Sequence, residues 1–345
     1  MARGLDLSDL VERARKGEPL AVSRLISLVD TDRGGAHSRL REVAAALAPH
    51  TGHAHVVGLT GPPGVGKSTT TSALVAALRK QGRTVGVLAV DPSSPFSGGA
   101  LLGDRVRMSE HATDAGVFIR SMATRGHLGG LAWATPQALR VLDAAGFDVV
   151  LVETVGVGQS EIDVVALADT TVVMLAPGMG DGIQAAKAGI LEIGDLFVVN
   201  KADRDGAAQT VRDLRHMLSL GREDGIPDAS GPATGWRPAV VKTVAARNEG
   251  IDRLVEELDR HREWIDAHGV RDRRRRDRAA AEIEAIAVER VRVRFSDLHG
   301  WGALPDLAAR VAAGALDPYS AADELERAAD EPGLRPGPRP SSGGA

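Results

Sequence analysis

The chain has 345 residues, 43% of them hydrophobic and only 3% aromatic, so a sizeable core has to be built from Val, Leu, Ile and Ala. A formal net charge of −4 provides no general attraction to nucleic acid or acidic membrane, and the absence of cysteine excludes disulfide frameworks, thiolate metal sites and a cysteine nucleophile. No uncharged apolar run approaches the roughly 20 residues that span a bilayer, and MARGLDLSDLVERARKGE lacks the apolar centre of a signal peptide, so a soluble cytoplasmic protein of about two domains is expected.

Residues 1–50 read as an N-terminal helical extension. Asp6 or Ser8 can cap a first helix, and Leu20, Leu25, Ile26 and Val29 recur close to helical spacing. From 51 to 268 short β-branched runs alternate with amphipathic stretches. The runs are HVVGLT, TVGVLAV, GVFIRS, FDVVLVE, TTVVMLA, LFVVN and AVVKTVA. Their near-continuous apolar character suits strands buried on both faces of a mostly parallel sheet. The stretches between them, such as STTTSALVAALRKQG, end at Gly as helices often do. This zone is expected to be a doubly wound α/β domain.

The first run leads into GPPGVGKST, residues 61–69, which fits G-x-x-x-x-G-K-[ST] at the start of a helix. Gly61, Gly64 and Gly66 let backbone N–H groups wrap phosphates, and Pro62, Pro63, Val65 and Thr69 complete the loop. Lys67 should reach the β- and γ-phosphates, with the Ser68 hydroxyl on Mg²⁺. The second run ends in DPSSPFSGGALLGDRVRM, residues 91–108. With the P-loop next to it in the sheet, this strand is expected to neighbour the P-loop strand, so that Asp91 faces the same metal and phosphate. The Pro/Ser/Gly stretch then reads as a first switch that carries Asp104 toward or away from them.

FDVVLVETVGVGQSE delivers Glu153 to the C-terminal edge of the sheet, where ligands of open α/β folds bind, and Gly156 is suited to donate its N–H to a γ-phosphate. The pattern is like the D-x-x-G switch of GTPases with Glu in place of Asp. Val157 stands where Ras-like proteins carry a water-orienting Gln, and Gln159 comes two residues later. Unaided hydrolysis should therefore be slow and rise with a partner. In APGMGDGIQAAKAGI, Asp181, Gln184 and Lys187 recur every three residues and would share one side of a helix. That side is either a functional face or an ordinary helix N-terminus with a favourable acid and a solvated face.

NKAD, residues 200–203, follows LFVV directly. The Asp203 carboxylate can accept from the guanine N1–H and N2–H₂ edge, which adenine lacks, and a buried acid left unpaired rejects the wrong base. Asn200 would brace the loop and the Lys201 stem would lie over the base plane. Ala245, at the end of the last run, joins the nucleotide-binding set. P-loop and NKAD in this order indicate GTP rather than ATP.

Beyond 269, RDRRRRDRAAAEIEAIAVERVRVRF begins as a charged helix. The Arg run reads as a solvated helix face, with Asp272 and Asp277 diluting the charge against polyanion binding. VRVRF alternates and can also be read as a strand. EPGLRPGPRPSSGGA, residues 331–345, has the Pro/Gly/Ser content of a disordered tail.

GLTGPPGVGKSTTTSAL, VLAVDPSSPFSGGALLGDRVRM, VETVGVGQSE and VVNKAD, in that order, make the chain resemble MeaB/ArgK-type GTPases of the SIMIBI class over nearly its whole length. DPSSPFSGGALLGDR is the most family-specific piece, since generic GTPases lack it. The resemblance implies a P-loop GTPase fold with helical extensions, GTP/GDP and Mg²⁺ as ligands, and metal or phosphate roles for Ser68, Asp91, Asp104 and Glu153. It makes the Asp181, Gln184 and Lys187 segment a third switch that senses a partner. It implies association with an adenosylcobalamin-dependent acyl-CoA mutase, chiefly methylmalonyl-CoA mutase, whose cofactor loading the family gates and which it protects or reactivates. It further implies a homodimer built through residues 269–330, with Ile283, Ile286 and Val291 on the apolar side.

Three other readings compete. His50, His53 and His55 are spaced to hold a metal, as in a nickel-type insertion GTPase, although such proteins usually also use Cys and His55 should begin a buried strand. An ATP-dependent kinase linked to amino-acid transport is the second, and the guanine-reading Asp203 argues against it. A non-catalytic nucleotide-dependent binding module is the third. Intact Lys67, Ser68, Asp91, Asp104 and Glu153 argue for retained hydrolysis.

Overall fold

The computed structural model describes residues 7–31, 37–92, 109–111, 113–124, 127–128, 131–132, 134–154, 166–178, 193–223, 235–296 and 303–330. All seven expected strands form, and all of them pair in parallel. They are β1 (His55–Thr60), β2 (Val85–Pro92), β3 (Val117–Thr124), β6 (Val149–Thr154), β7 (Thr170–Leu175), β8 (Leu196–Val199) and β9 (Ala239–Lys242), with β4 (His127–Leu128) and β5 (Leu131–Ala132) forming a separate short antiparallel pair. The sheet order is β3-β2-β6-β1-β7-β8-β9. β1 is thus flanked by β6 and β7, with Val57 opposite Leu151 on one side and Thr170 on the other. Connections leave the sheet in both directions from this central strand, which opens a crevice at its C-terminal end. The strand bearing Asp91, expected beside the P-loop strand, lies one strand further out, because β6 is inserted between β2 and β1.

Both faces of the sheet are covered, as its continuous apolar strands require. On one face, α1 (Leu7–Arg15), α2 (Pro19–Thr31), α3 (His37–Leu47) and α5 (Ala134–Ala144) pack into a common core. Leu10, Leu25, Ile26 and Leu47 meet Leu88, Val150 and Leu142 there. Each such fully buried aliphatic side chain contributes about 1.5–3 kcal/mol, so the N-terminal helices form a layer of the domain. On the other face, α4 (Lys67–Lys80) and α7 (Ile251–Ala267) set Leu74, Leu78, Leu254 and Val255 against Val57, Leu151 and Val172. α6 (Ala207–Glu223) packs Val211 and Leu214 against Phe197 and Val199.

α8 (Val270–Ser296) runs through VRVRF, which is helical and not a strand. The reading of its Arg run as a solvated face is also corrected. Arg271, Arg274, Arg275 and Arg278 recur at helical spacing and turn inward to two carboxylates at the N-terminal ends of the strands. Asp169, just before β7, is fully buried and accepts from Arg278 Nη2 at 2.6 Å and Arg275 Nη2 at 3.0 Å. Asp195, just before β8, takes a two-pronged contact from Arg274 at 2.8 and 3.0 Å. Arg271 and Arg275 also donate to the Ala54 carbonyl, at 3.0 and 2.9 Å. Asp272, Arg276 and Asp277 face solvent. Arginine forks desolvate at lower cost than ammonium groups and suit paired recognition of carboxylates, which explains how one helix face can be so charged and still point inward.

The chain divides into two compact units, Met1–Arg278 and Ala279–Ala345. In the second, α9 (Ala303–Ala312) and α10 (Pro318–Asp330) are tied by Arg310 to Glu324 at 2.8 Å. Asp317 caps α10 by accepting from the N–H groups of Tyr319 and Ser320. On α8, Ile283 is 67% exposed, Ile286 is half-buried, and the Val291 side chain lies outside the described residues. Among the described residues no helix is long and apolar enough to cross a membrane.

Candidate nucleotide site

β1 ends at Thr60 and the chain turns through Gly61 to Gly66 before α4 begins at Lys67. Gly61 has φ 139°, and a Cβ on it would stand 2.3 Å from the Met174 carbonyl oxygen of β7. Gly66, the α4 N-cap at φ 96°, would clash with the Asn200 side-chain amide at 2.4 Å. At these two positions only glycine fits, in backbone angle and in space. Val65 is buried beneath the loop, while Pro63, Gly64 and Thr69 face outward. The loop therefore wraps around the first N–H groups of α4, where the helix dipole favours an anion.

Lys67 is buried, and its ammonium donates to the carbonyls of Gly61 at 2.6 Å and Pro62 at 3.1 Å. These are neutral acceptors, which phosphate oxygens can replace with stronger, charge-assisted bonds. Ser68, half-buried one position on, donates to Glu153 Oε1 at 2.5 Å, and Thr71 donates to Glu153 Oε2 at 2.8 Å. Glu153 is itself 3% exposed at the end of β6, opposite Leu59 of β1 and Ala89 of β2. Asp91 follows two residues after Ala89, on the backbone of β2 at the same edge, and pairs in register with Ala123. The donor set here, a serine hydroxyl touching a carboxylate, is the hard-oxygen chemistry that Mg²⁺ requires. The residues present fit that ion.

The base-reading half is joined to the phosphate half by Asn200. Its amide donates to the Val65 carbonyl at 2.8 Å, and its carbonyl oxygen accepts from Thr243 Oγ1 and the Ala245 N–H, each at 3.1 Å. One buried side chain thus fixes the P-loop, the end of β8 and the turn after β9. Lys201, at the left-handed φ of 56°, sends its ammonium to the Gly64 carbonyl at 2.6 Å. Asp203, expected as a buried acid, is exposed and paired to Arg247 at 3.1 Å.

The structure brings together Gly61, Pro62, Pro63, Gly64, Val65, Gly66, Lys67, Ser68, Thr69, Glu153, Asn200, Lys201, Asp203 and Ala245 on the C-terminal edge of one sheet. Asp104, Gly156, Gln159, Asp181, Gln184 and Lys187 lie outside the described residues. Thr71 and Thr243 had not been singled out. Thr71 is hidden in the hydroxyl run STTTS, and its place three residues after Ser68, on the same helix face, is the signal that could have found it.

The three histidines of the rival metal reading are placed differently. His55 is buried with its Nε2 2.7 Å from Thr170 Oγ1, and burial, ahead of neighbouring charges, pushes its pKa down to about 3. The His53 N–H is held by Asp143 at 3.0 Å. Among the described residues no group of three or more His, Cys, Asp or Glu side chains is placed to hold a metal ion.

A parallel α/β sheet with a P-loop at its central strand and an Asn-Lys-x-Asp turn two strands away defines a P-loop GTPase fold. A family profile described as methylmalonyl Co-A mutase-associated GTPase MeaB matches residues 22–299, and the chain belongs to that family. A Pyrococcus abyssi protein assigned by name as a GTPase is 48% identical over 319 residues, covering 92% of this chain and 95% of its own. The mouse protein named methylmalonic aciduria type A homolog, mitochondrial, is 34% identical over 335 residues, covering 91% of this chain and 77% of its own. A solved structure described as an LAO/AO transport system kinase superposes with a TM-score of 0.68 at 25% identity, over 95% of this chain and 98% of that one.

Proposed function

We propose that the chain binds GTP with Mg²⁺ and hydrolyses it slowly, using the cycle to gate cofactor loading and to protect or reactivate an adenosylcobalamin-dependent acyl-CoA mutase, chiefly methylmalonyl-CoA mutase. The observation that carries the nucleotide reading is the Asn200 junction, which ties the phosphate loop to the turn bearing Asp203. The mutase part rests on the family to which the chain belongs.

In this reading the Gly61–Ser68 backbone and Lys67 hold the β- and γ-phosphates, with Lys67 exchanging the Gly61 and Pro62 carbonyls for phosphate oxygens. Ser68, Asp91, Asp104 and Glu153 would hold Mg²⁺, which would supply charge neutralisation for the phosphates when bound. Gly156 donates its N–H to the γ-phosphate. Asp203 accepts the guanine edge, Lys201 covers the base plane, and Ala245 closes the pocket. Val157 in place of a glutamine supports slow basal turnover, raised when the partner engages the Asp181, Gln184 and Lys187 segment. Residues 1–50 serve as a helical extension whose helices complete one face of the 51–268 GTPase domain, and 269–330 as a second extension, the arm of a cytoplasmic homodimer, with 331–345 as its tail.

The alternative is the activity that the solved neighbour's description names, ATP-dependent phosphorylation linked to transport. Affinity measurements separate the two. The chain should bind GTP at least about 100-fold more tightly than ATP, since two hydrogen bonds to a charged acceptor are at stake at about 1.5 kcal/mol or more each, and Asp203→Asn should abolish that preference. Equal affinity for ATP and GTP would sink the guanine assignment. Capture from the native cell with GTP-analogue-loaded chain should recover a cobalamin mutase subunit. If none is recovered, the mutase assignment fails and the GTPase reading stands.

A further inference from the structure

We propose that Thr71 is a positioning residue for the Ser68 hydroxyl, acting through Glu153, an inference that rests on the GTP and Mg²⁺ reading above. Ser68 and Thr71 sit three residues apart on α4, so their hydroxyls share one face of the helix. Between them they span a single buried carboxylate: Ser68 Oγ lies 2.5 Å from Glu153 Oε1 and Thr71 Oγ1 lies 2.8 Å from Oε2. An ionised carboxylate only accepts, so in these contacts both hydroxyls have to donate. With its proton directed at Glu153, the Ser68 oxygen turns its lone pairs away from the carboxylate, which is the state a ligand of a hard cation needs. Thr71 fixes the far oxygen of Glu153 and thereby the direction in which Ser68 points.

Thr71 has one proton and a second acceptor within reach. Its Oγ1 is also 3.1 Å from the Lys67 carbonyl, one helical turn back. The shorter contact to a charged acceptor is the stronger of the two. If Glu153 shifts during a nucleotide cycle, the Thr71 hydroxyl can turn to donate to the Lys67 carbonyl, which leaves its proton hydrogen-bonded. The holding contact can therefore be released at small cost. Thr70, the preceding residue, is an internal contrast. Its Oγ1 is buried and makes no hydrogen bond among the described residues, so a buried hydroxyl on this helix does not by itself do what Thr71 does.

The test uses the full chain and a fluorescent GDP analogue, with the dissociation constant measured in Mg²⁺ and in chelator. The wild-type chain should bind more tightly with Mg²⁺. Thr71→Val should lose about 10-fold of that Mg²⁺-dependent gain, the lower end of what removing an outer-shell partner of a metal ligand costs, and should keep its metal-free affinity within about 2-fold. Thr71→Ser should restore the gain, and Thr70→Val should leave it unchanged. A Thr71→Val chain with the full gain, or with an equal loss in chelator, overturns the proposal. So does failure of Thr71→Ser to rescue in a chain that melts like wild type. A wild-type chain that binds GDP with no Mg²⁺ gain overturns the metal reading and this role with it, and one that binds no GDP overturns the guanine-nucleotide reading itself.

Discussion

At the N-terminal ends of the strands, carboxylates meet fixed guanidinium and backbone donors, whereas at the C-terminal ends Lys67, Lys201 and Glu153 meet carbonyls and hydroxyls that a ligand can replace. Asp169 and Asp195 face Arg275, Arg278 and Arg274, and also accept from the backbone N–H groups of Val56 and Thr171. Asp143 accepts from the N–H groups of Gly52, His53 and Ala54, and Asp148 from Thr84. Burial alone would raise Asp169 and Asp195. Arg275 and Arg278 for the first, and His261 and Arg274 for the second, outweigh it and hold both carboxyls well below the usual range. Lys67, by contrast, has the neutral carbonyls of Gly61 and Pro62 among its contacts, and Glu153 has the hydroxyls of Ser68 and Thr71 among its own. The same parallel strands thus carry a permanent fastening at one end and exchangeable bonds at the other. Stability belongs mainly to the first edge and ligand response to the second.

The largest expected effect comes from breaking the fastened edge. Asp169→Asn leaves three guanidinium groups, on Arg271, Arg275 and Arg278, without their buried counter-charge. Removing one partner of a buried ion pair costs about 3–5 kcal/mol, to be read from the denaturant midpoint of the ligand-free chain, with GTP affinity of the molecules that remain folded unchanged within about 3-fold. A loss of less than about 1 kcal/mol would place the fastening elsewhere. Asn200→Ala is the next largest, and it probes a residue of the ligand edge that is built like one of the other. It removes the bonds to Val65, Thr243 and Ala245, at about 1 kcal/mol each. It should therefore lower both stability, by about 2–3 kcal/mol, and guanine-nucleotide affinity. Loss of affinity at unchanged stability would make Asn200 a purely ligand-directed residue.

The contrast between the edges also explains what could be read in the sequence. The seven strands were legible because each is an apolar run that needs no partner to be recognised, and the nucleotide edge because glycine spacing and NKAD sit on consecutive residues. The fastened edge was not. Its pairs join residues about 80 to 110 positions apart, such as Arg274 with Asp195 and Arg278 with Asp169. RDRRRRDR on its own has the appearance of a solvated helix. Only the spacing of Arg271, Arg274, Arg275 and Arg278 hinted at one face, and a periodic charged stripe most often faces water. Asp169 and Asp195 each stand one residue before a strand, where turn residues are common, and no local pattern marks them out. Sequence motifs report groups that a ligand must meet in a fixed order, and they are silent about pairs that only the folded sheet brings together.

The smallest expected effect, when reckoned per pH unit, is a pH dependence within the fastened edge. The His55 ring is buried between Thr170, 2.7 Å from its Nε2, and the charges of Asp169, Arg262, Arg271 and His261 around it. Thr170 Oγ1 is in turn 2.8 Å from His261 Nδ1. Burial pushes His55 down to about 3, against an unfolded value of about 6.5. Between these two values the unfolded chain binds a proton that the folded chain does not, so stability falls as pH drops from 6.5 toward 3 and is fully present above 6.5. One such proton gives a slope of at most about 1.4 kcal/mol per pH unit. Asp169 and Asp195 act in the same sense but lower: their stabilisation is complete above the ordinary carboxylate range and is lost as pH falls below it. Acid unfolding of the ligand-free chain should therefore begin well above pH 4 and steepen beneath it. His55→Gln keeps a side-chain amide near Thr170 but cannot titrate. Its melting temperature should be lower at pH 7.5 and should decline less than wild type between pH 6.5 and 4.5. Parallel declines in the two chains over that range would assign the early acid sensitivity to another group.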